Sequence, residues 1–210
     1  MTTLALELAP ARSRAAARAA YTIGCMVAGA LLLTVLAQIS IPLPFTPVPI
    51  TGQTLGALLV GAAYGPVLGA STVVLYLAWA VIGWPVLAPN PDGTHDTGVA
   101  VLGSAAFTGG YLWGFVVASA LVGWLARRGW DRSFGSAIGA MFLGEVVLYA
   151  IGLPWLSRAL ALAGYPATLE DTLVAGLYPY IVGDVLKLLA AAALLPTAWK
   201  VLERVRPRED

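Results

Sequence analysis

Three ionisable residues, Glu145, Asp184 and Lys187, stand inside stretches otherwise too apolar to hold a charge. At membrane depth a charged side chain is expensive, about 2.5 to 3.5 kcal/mol on insertion scales, so each marks a functional site by default. Asp184 and Lys187 lie three positions apart, which on a helix puts them on one face. There they can pair with each other, as a salt bridge that only keeps the helix insertable, or converge on a ligand. Glu145, in Leu143-Gly144-Glu145-Val146, is free either to join them or to remain a neutral, hydrogen-bonded carboxylic acid. Carboxylate acceptors and an ammonium donor in an apolar surround suit the capture of a small polar solute.

Other chemistries lack their parts. There is no H-E-x-x-H helix, no G-x-S-x-G elbow and no G-x-x-x-x-G-K-[ST] loop, so the chain has no ATP-driven step of its own. An intramembrane enzyme would have to use Asp184 and Glu145 as its acid–base pair, and a structural membrane subunit without ligand is the other rival. His95, the only histidine, sits in a loop beside Asp92 and Asp96 and reads as solvated; with no second nitrogen or sulfur donor no metal site is expected. The single cysteine, Cys25, excludes an intrachain disulfide and reads as a small lipid-buried side chain. No basic stripe suits nucleic acid, and no cofactor is expected.

The elements that must position the three charges are membrane spans. Of 210 residues 59% are hydrophobic and 11% charged, and residues 19–91, between Arg18 and Asp92, contain no Asp, Glu, Lys or Arg. A soluble domain carries about 25% charged residues. A spanning helix needs about 20 apolar residues, and the uncharged blocks divide into six crossings. The first runs from Ala15 to Ile41 and stops at Pro42, Pro44, Pro47 and Pro49; its basic approach, with Arg12, Arg14 and Arg18, looks like a signal sequence, but the apolar run is too long to be cleaved and reads as a retained anchor. A short second segment reaches Ala63, either a tilted short helix or a re-entrant arm, and the turn Tyr64-Gly65-Pro66 leads to a third helix over 67–83.

A Pro- and Gly-rich loop over 84–107 precedes a fourth helix over 108–126, a basic turn over 127–132, a fifth helix over 134–156 and a sixth over 173–201. With six crossings both termini and the basic turn share the cytoplasmic side, which then holds ten of the twelve Lys and Arg residues. The expected fold is therefore an all-α integral membrane protein, a six-transmembrane-helix bundle. Residues 1–14 form a cytoplasmic amino-terminal segment, 15–203 a single transmembrane substrate-binding domain and 204–210 a cytoplasmic tail. On the first helix Gly24 and Ala28, and Cys25 and Gly29, have the small-x-x-x-small spacing that lets helices approach, whether inside the bundle or against a partner helix.

Four strings, in order, carry a resemblance: Pro47-Val48-Pro49-Ile50-Thr51-Gly52-Gln53-Thr54-Leu55, Thr108-Gly109-Gly110-Tyr111-Leu112, Tyr149-Ala150-Ile151-Gly152-Leu153-Pro154-Trp155-Leu156, and Gly183-Asp184-Val185-Leu186-Lys187. Together they resemble the BioY family, the biotin-binding S components of energy-coupling factor (ECF) transporters, over roughly 20–193. The resemblance implies a multi-pass protein of a prokaryotic cell membrane with an outward pocket for biotin and no chemical change to it. It also implies a partner module of a membrane scaffold protein and two ATPases, dedicated or shared, unless the protein works as a solitary homo-oligomer. Asp184 and Lys187 match the pocket-lining aspartate and lysine of the family's G-D-x-x-K motif. Asp184 would accept from the ureido N–H groups, and Lys187 would neutralise the valeryl carboxylate or keep Asp184 ionised. Thr51, Gln53 and Tyr149 would complete the polar contacts, and Tyr111, Trp84 and Phe45 would cover the apolar bicycle.

Overall fold

A computed structural model describes residues 3–9 and 15–205. Arg12, Arg14, Arg206 and Arg208, and with them most of the two expected cytoplasmic segments, lie outside the described residues. The chain order is α1 (Leu4–Leu8), α2 (Ala15–Gln38), β1 (Ser40–Ile41), β2 (Ile50–Thr51), α3 (Gln53–Tyr64), α4 (Pro66–Val81), a 3-10 helix (Val99–Leu102), α5 (Gly109–Ala126), α6 (Phe134–Leu162), α7 (Leu169–Gly176) and α8 (Ile181–Val205). Among the described residues four helices, α2, α5, α6 and α8, are long and apolar enough to cross a membrane. α3 and α4, with 12 and 16 residues, are shorter, about 18 and 24 Å at 1.5 Å per residue.

Glycine makes the α3–α4 hairpin possible. Gly65 takes φ 84°, a left-handed turn open to it for want of a Cβ, and Pro66 starts the next helix at N1. Beyond the turn the two helices touch backbone to backbone, since a Cβ on Gly69 would stand 2.8 Å from the Gly61 Cα. The same turn abuts Arg127, 3.2 Å from a Cβ position at Gly65, so the α3–α4 and α5–α6 turns meet at one end of the bundle. The proline-rich segment after α2 lies at the other end.

Three boundaries differ from the expectation. α2 stops at Gln38, because Ser40 and Ile41 pair antiparallel with Thr51 and Ile50, making the proline segment the loop of a ribbon. α6 runs through Pro154 to Leu162, taking Arg158 out of the expected loop. A proline removes one helical hydrogen bond, but Gly152, Leu156, Ala159 and Leu160 remain buried, and that packing carries the helix past the defect.

The expected sixth helix is two. α7 begins with a capping box in which the Thr168 hydroxyl accepts from Asp171 N–H and the Asp171 carboxylate accepts from Thr168 N–H. It ends at Gly176, and Leu177-Tyr178-Pro179-Tyr180 separates it from α8. Pro179 has no N–H to continue the ladder and disfavours helical backbone at Tyr178.

Much of the outside is apolar: on α2 alone Ile23, Val27, Leu31, Leu32 and Val35 are exposed. Gly24 and Ala28 share this exposed face, with nothing within 4 Å of a Cβ at Gly24, so they make no helix contact inside the bundle. Gly29, by contrast, is buried against Thr72 of α4.

At the basic end the α5–α6 turn is locked to α8. Trp199 Nε1 donates to the buried Asp131 carboxylate (2.6 Å), and the Arg132 guanidinium lies 4.1 Å from the Trp199 ring centre. Burial pushes the Asp131 carboxyl up, against the lowering effects of the Trp199 hydrogen bond and of Arg132. Folding therefore favours the protonated acid, the folded chain holds the proton to higher pH, and this contribution to stability shrinks as pH rises above the unfolded value of about 4. Asp131→Asn, which keeps an acceptor for Trp199 but cannot ionise, should unfold at a temperature similar to wild type near pH 4 and higher than wild type at pH 7. A difference between the two proteins that does not change with pH contradicts this.

Candidate ligand-binding site

At the end opposite the basic turn the helices part around a cavity of about 810 Å³, open mouth included. Its walls come from both halves of the chain: the proline loop and β2 supply Pro47, Val48 and Thr51, the start of α3 Gln53, and the 84–107 loop Leu87, Asn90 and Asp96. α5 adds Tyr111 and Phe115, α6 Leu148 and Tyr149, the α7–α8 break Gly176 and Tyr180, and α8 Asp184 and Lys187.

The charged centre is Asp184, 5% exposed. It occupies the first turn of α8, where free N–H groups and the helix dipole favour a carboxylate. Lys187 Nζ donates to its Oδ1 at 2.8 Å and the Tyr149 hydroxyl to its Oδ2. An ionised carboxylate has about four acceptor positions, so two remain for a guest. The break after α7 creates this arrangement, because an unbroken helix would place Asp184 mid-ladder, without the N-terminal field.

A second polar chain forms another wall. Thr51 Oγ1 donates to Gln53 Oε1 (3.0 Å), Gln53 Nε2 to the Tyr76 hydroxyl (2.7 Å), and Tyr76 to the Val86 carbonyl (3.0 Å). One amide N–H of Gln53 stays available to a ligand. The Tyr111 hydroxyl donates to the Gly176 carbonyl (2.9 Å), fixing its ring edge-on to Tyr149 with centroids 6.1 Å apart. The proline loop is tied across the mouth by Thr46 Oγ1 donating to Ala175 O and by Tyr180 Oη donating to Val48 O.

Six of the nine residues singled out from sequence, Thr51, Gln53, Tyr111, Tyr149, Asp184 and Lys187, face this one cavity. The other three do not. Trp84 is 53% exposed and leans on Trp79, and Phe45, 62% exposed, belongs to a separate hollow with Phe107 and Tyr165. Glu145 is buried but lies one helical turn from Tyr149, outside the cavity wall. His95 is half-buried, its Nδ1 2.8 Å from the Leu87 carbonyl, so it braces the loop. Asp92 is held below the usual carboxylate range by the Thr94 hydroxyl and N–H.

Phe115, Tyr180 and Asn90, which line the cavity, were missed, as was Tyr76, which holds Gln53 from the core side. Tyr180 carried a signal, four residues before Asp184 and beside the helix-breaking Pro179; Tyr76 carried one too, on the same helical face as Thr72 and Val73.

An apolar exterior with several crossing helices, around an interior cavity whose buried Asp184 and Lys187 are paired, defines a multi-pass membrane protein with an internal ligand site. The BioY family model matches residues 10–204. The chain belongs to the BioY family. It is 34% identical over 161 residues to the biotin transporter BioY of Rhizobium etli, covering 73% of this chain and 79% of that one. It is 31% identical over 163 residues to that of Thermotoga maritima, covering 78% and 86%. Among solved structures, the S-component for biotin from an ECF-type ABC transporter superposes with a TM-score of 0.72 at 26% identity, covering 90% of this chain and 95% of that chain.

The Tyr76 hydroxyl is the joint between Gln53 and the Val86 carbonyl. Tyr76→Phe leaves both buried groups short of a partner and should cost about 1 to 3 kcal/mol of stability, read as a lower unfolding midpoint in detergent. An unchanged midpoint would mean that both find other partners.

Proposed function

We propose that this chain binds biotin in the cavity and serves as the substrate-binding subunit of an ECF-type transporter, without altering its ligand. The observation that carries the proposal is the Tyr149–Asp184–Lys187 cluster, paired, almost buried and presented to a cavity, in a chain whose relatives are named biotin transporters. The ureido ring of biotin offers two N–H donors and a carbonyl acceptor. Asp184 takes the N–H groups with its remaining lone pairs, and the spare Gln53 N–H serves the carbonyl. Thr51 holds Gln53 in place, Lys187 acts as counter-ion to Asp184, and Tyr111 packs against the bicycle.

Residues 15–203 act as one substrate-binding domain with six crossings and both termini cytoplasmic. In support, α2, α3, α4, α5, α6 and α8 run between two ends, and the described basic residues Arg127, Arg128, Arg132, Lys200 and Arg204 cluster away from the cavity. The positive-inside rule then turns the cavity to the exterior. α3 and α4, too short to cross upright singly at full bilayer thickness, are accommodated by local thinning of the bilayer. A transmembrane scaffold protein and two ATPases supply the energy, and the exposed Gly24 and Ala28 strip of α2 offers a close-approach face to that scaffold. The enzyme reading pairs Asp184 with Glu145 as acid and base, and Glu145 is not among the cavity residues.

In equilibrium binding with the purified protein, Asp184→Asn should weaken biotin binding at least tenfold, about 1.4 kcal/mol, and bound biotin should be recovered unaltered. Equal affinity in the variant removes Asp184 from the site, and a modified product returns the enzyme reading.

A further inference from the structure

Glu145 is more than nine-tenths buried, and its Oε1 has no hydrogen-bond partner. It precedes Tyr149 by four residues on α6, so the two share a face, and that face packs on α8, where Tyr149 bonds Asp184. Lys187 is one turn along α8 from Asp184 in the direction away from the mouth, as Glu145 is along α6 from Tyr149, so both start about one turn deeper than the Tyr149–Asp184 contact. The charges of Asp184 and Lys187 both act on Glu145.

The titratable groups around Glu145 are thus Tyr149 on its own helix and Asp184 and Lys187 from α8, with Tyr111 of α5 one step further off, packed on Tyr149. α3 presents none nearby, its only titratable residue, Tyr64, being at the far end. On α7, Glu170 and Asp171 stand at the first turn, with Asp171 engaged by Thr168.

Charge counting gives the consequence. Asp184 and Lys187 cancel, so the floor of the cavity is neutral when Glu145 carries a proton and has a net charge of −1 when it does not. A buried, uncompensated charge acts over several ångströms in a medium that screens it poorly. We propose that Glu145 is a specificity-determining residue that sets the charge of the cavity floor: protonated, it admits an anionic ligand, and ionised, it disfavours one relative to a neutral ligand of the same shape. This rests on biotin, a carboxylate at neutral pH, being the ligand. Glu145 does so without touching the ligand.

The test is equilibrium binding of biotin and of its uncharged amide to wild type and to Glu145→Gln, at pH 6 and pH 8.5, where the biotin carboxylate is ionised throughout. In wild type the affinity for biotin relative to the amide should fall at least threefold from the lower to the higher pH; in the variant the ratio should stay constant. A ratio that is constant in wild type, or that falls equally in both proteins, overturns the role of Glu145 while leaving the biotin reading intact. Failure of both ligands to bind wild type at either pH overturns the biotin reading and this inference with it.

Discussion

A carboxylate and an ammonium enclosed by apolar helices are tolerable only while each neutralises the other and their remaining polar atoms are engaged. Asp184 and Lys187 meet that condition at 2.8 Å, and the Tyr149 hydroxyl takes the second carboxylate oxygen. Removing one partner of such a pair strands the other, whereas replacing both by apolar residues is often neutral or stabilising. Stability therefore does not explain the pair. A function that needs strong acceptors in a dry place does, and the cavity on which the pair opens is that place.

The architecture follows from presenting this pair. α8 must start, not pass, at the level of the cavity, and the Pro179 break lets it do so, giving Asp184 the field of a helix N-terminus. The break also frees Tyr180 to hold the proline loop at Val48 O. Small residues bring α3, α4 and α5 close along one half of the bundle, so the space left over concentrates at the mouth. At the opposite end Asp131, Arg132 and Trp199 join the α5–α6 turn to α8, which holds the far end of the helix that carries the pair.

Much of this was legible in the sequence, and for stated reasons. Apolar blocks of spanning length and the isolation of Asp184 and Lys187 in a charge-free field pointed to the long helices and to the ion pair that lines the cavity, because hydrocarbon punishes an unpaired charge severely. Helix ends were less legible: Pro154 looked like a terminus but is carried inside α6 by buried neighbours, and the break at Pro179 was passed over although Thr168 and Asp171 spelled a helix start just upstream. Trp84 and Phe45 were placed in the pocket on aromatic character alone, and both prove exposed elsewhere, since aromatic residues also suit a membrane interface. Phe115 stayed hidden because nothing local distinguishes a cavity-facing aromatic side chain from a core one. Only the crossing of α5 with distant loops decides it.

The most direct measurement is an experimental structure of the protein with biotin bound. The account predicts the ureido ring in the cavity with its N–H groups within about 3 Å of Asp184, hydrogen-bond distance, and Lys187 still at the same carboxylate. Biotin seated elsewhere, or Asp184 and Lys187 turned away from it, would contradict the account.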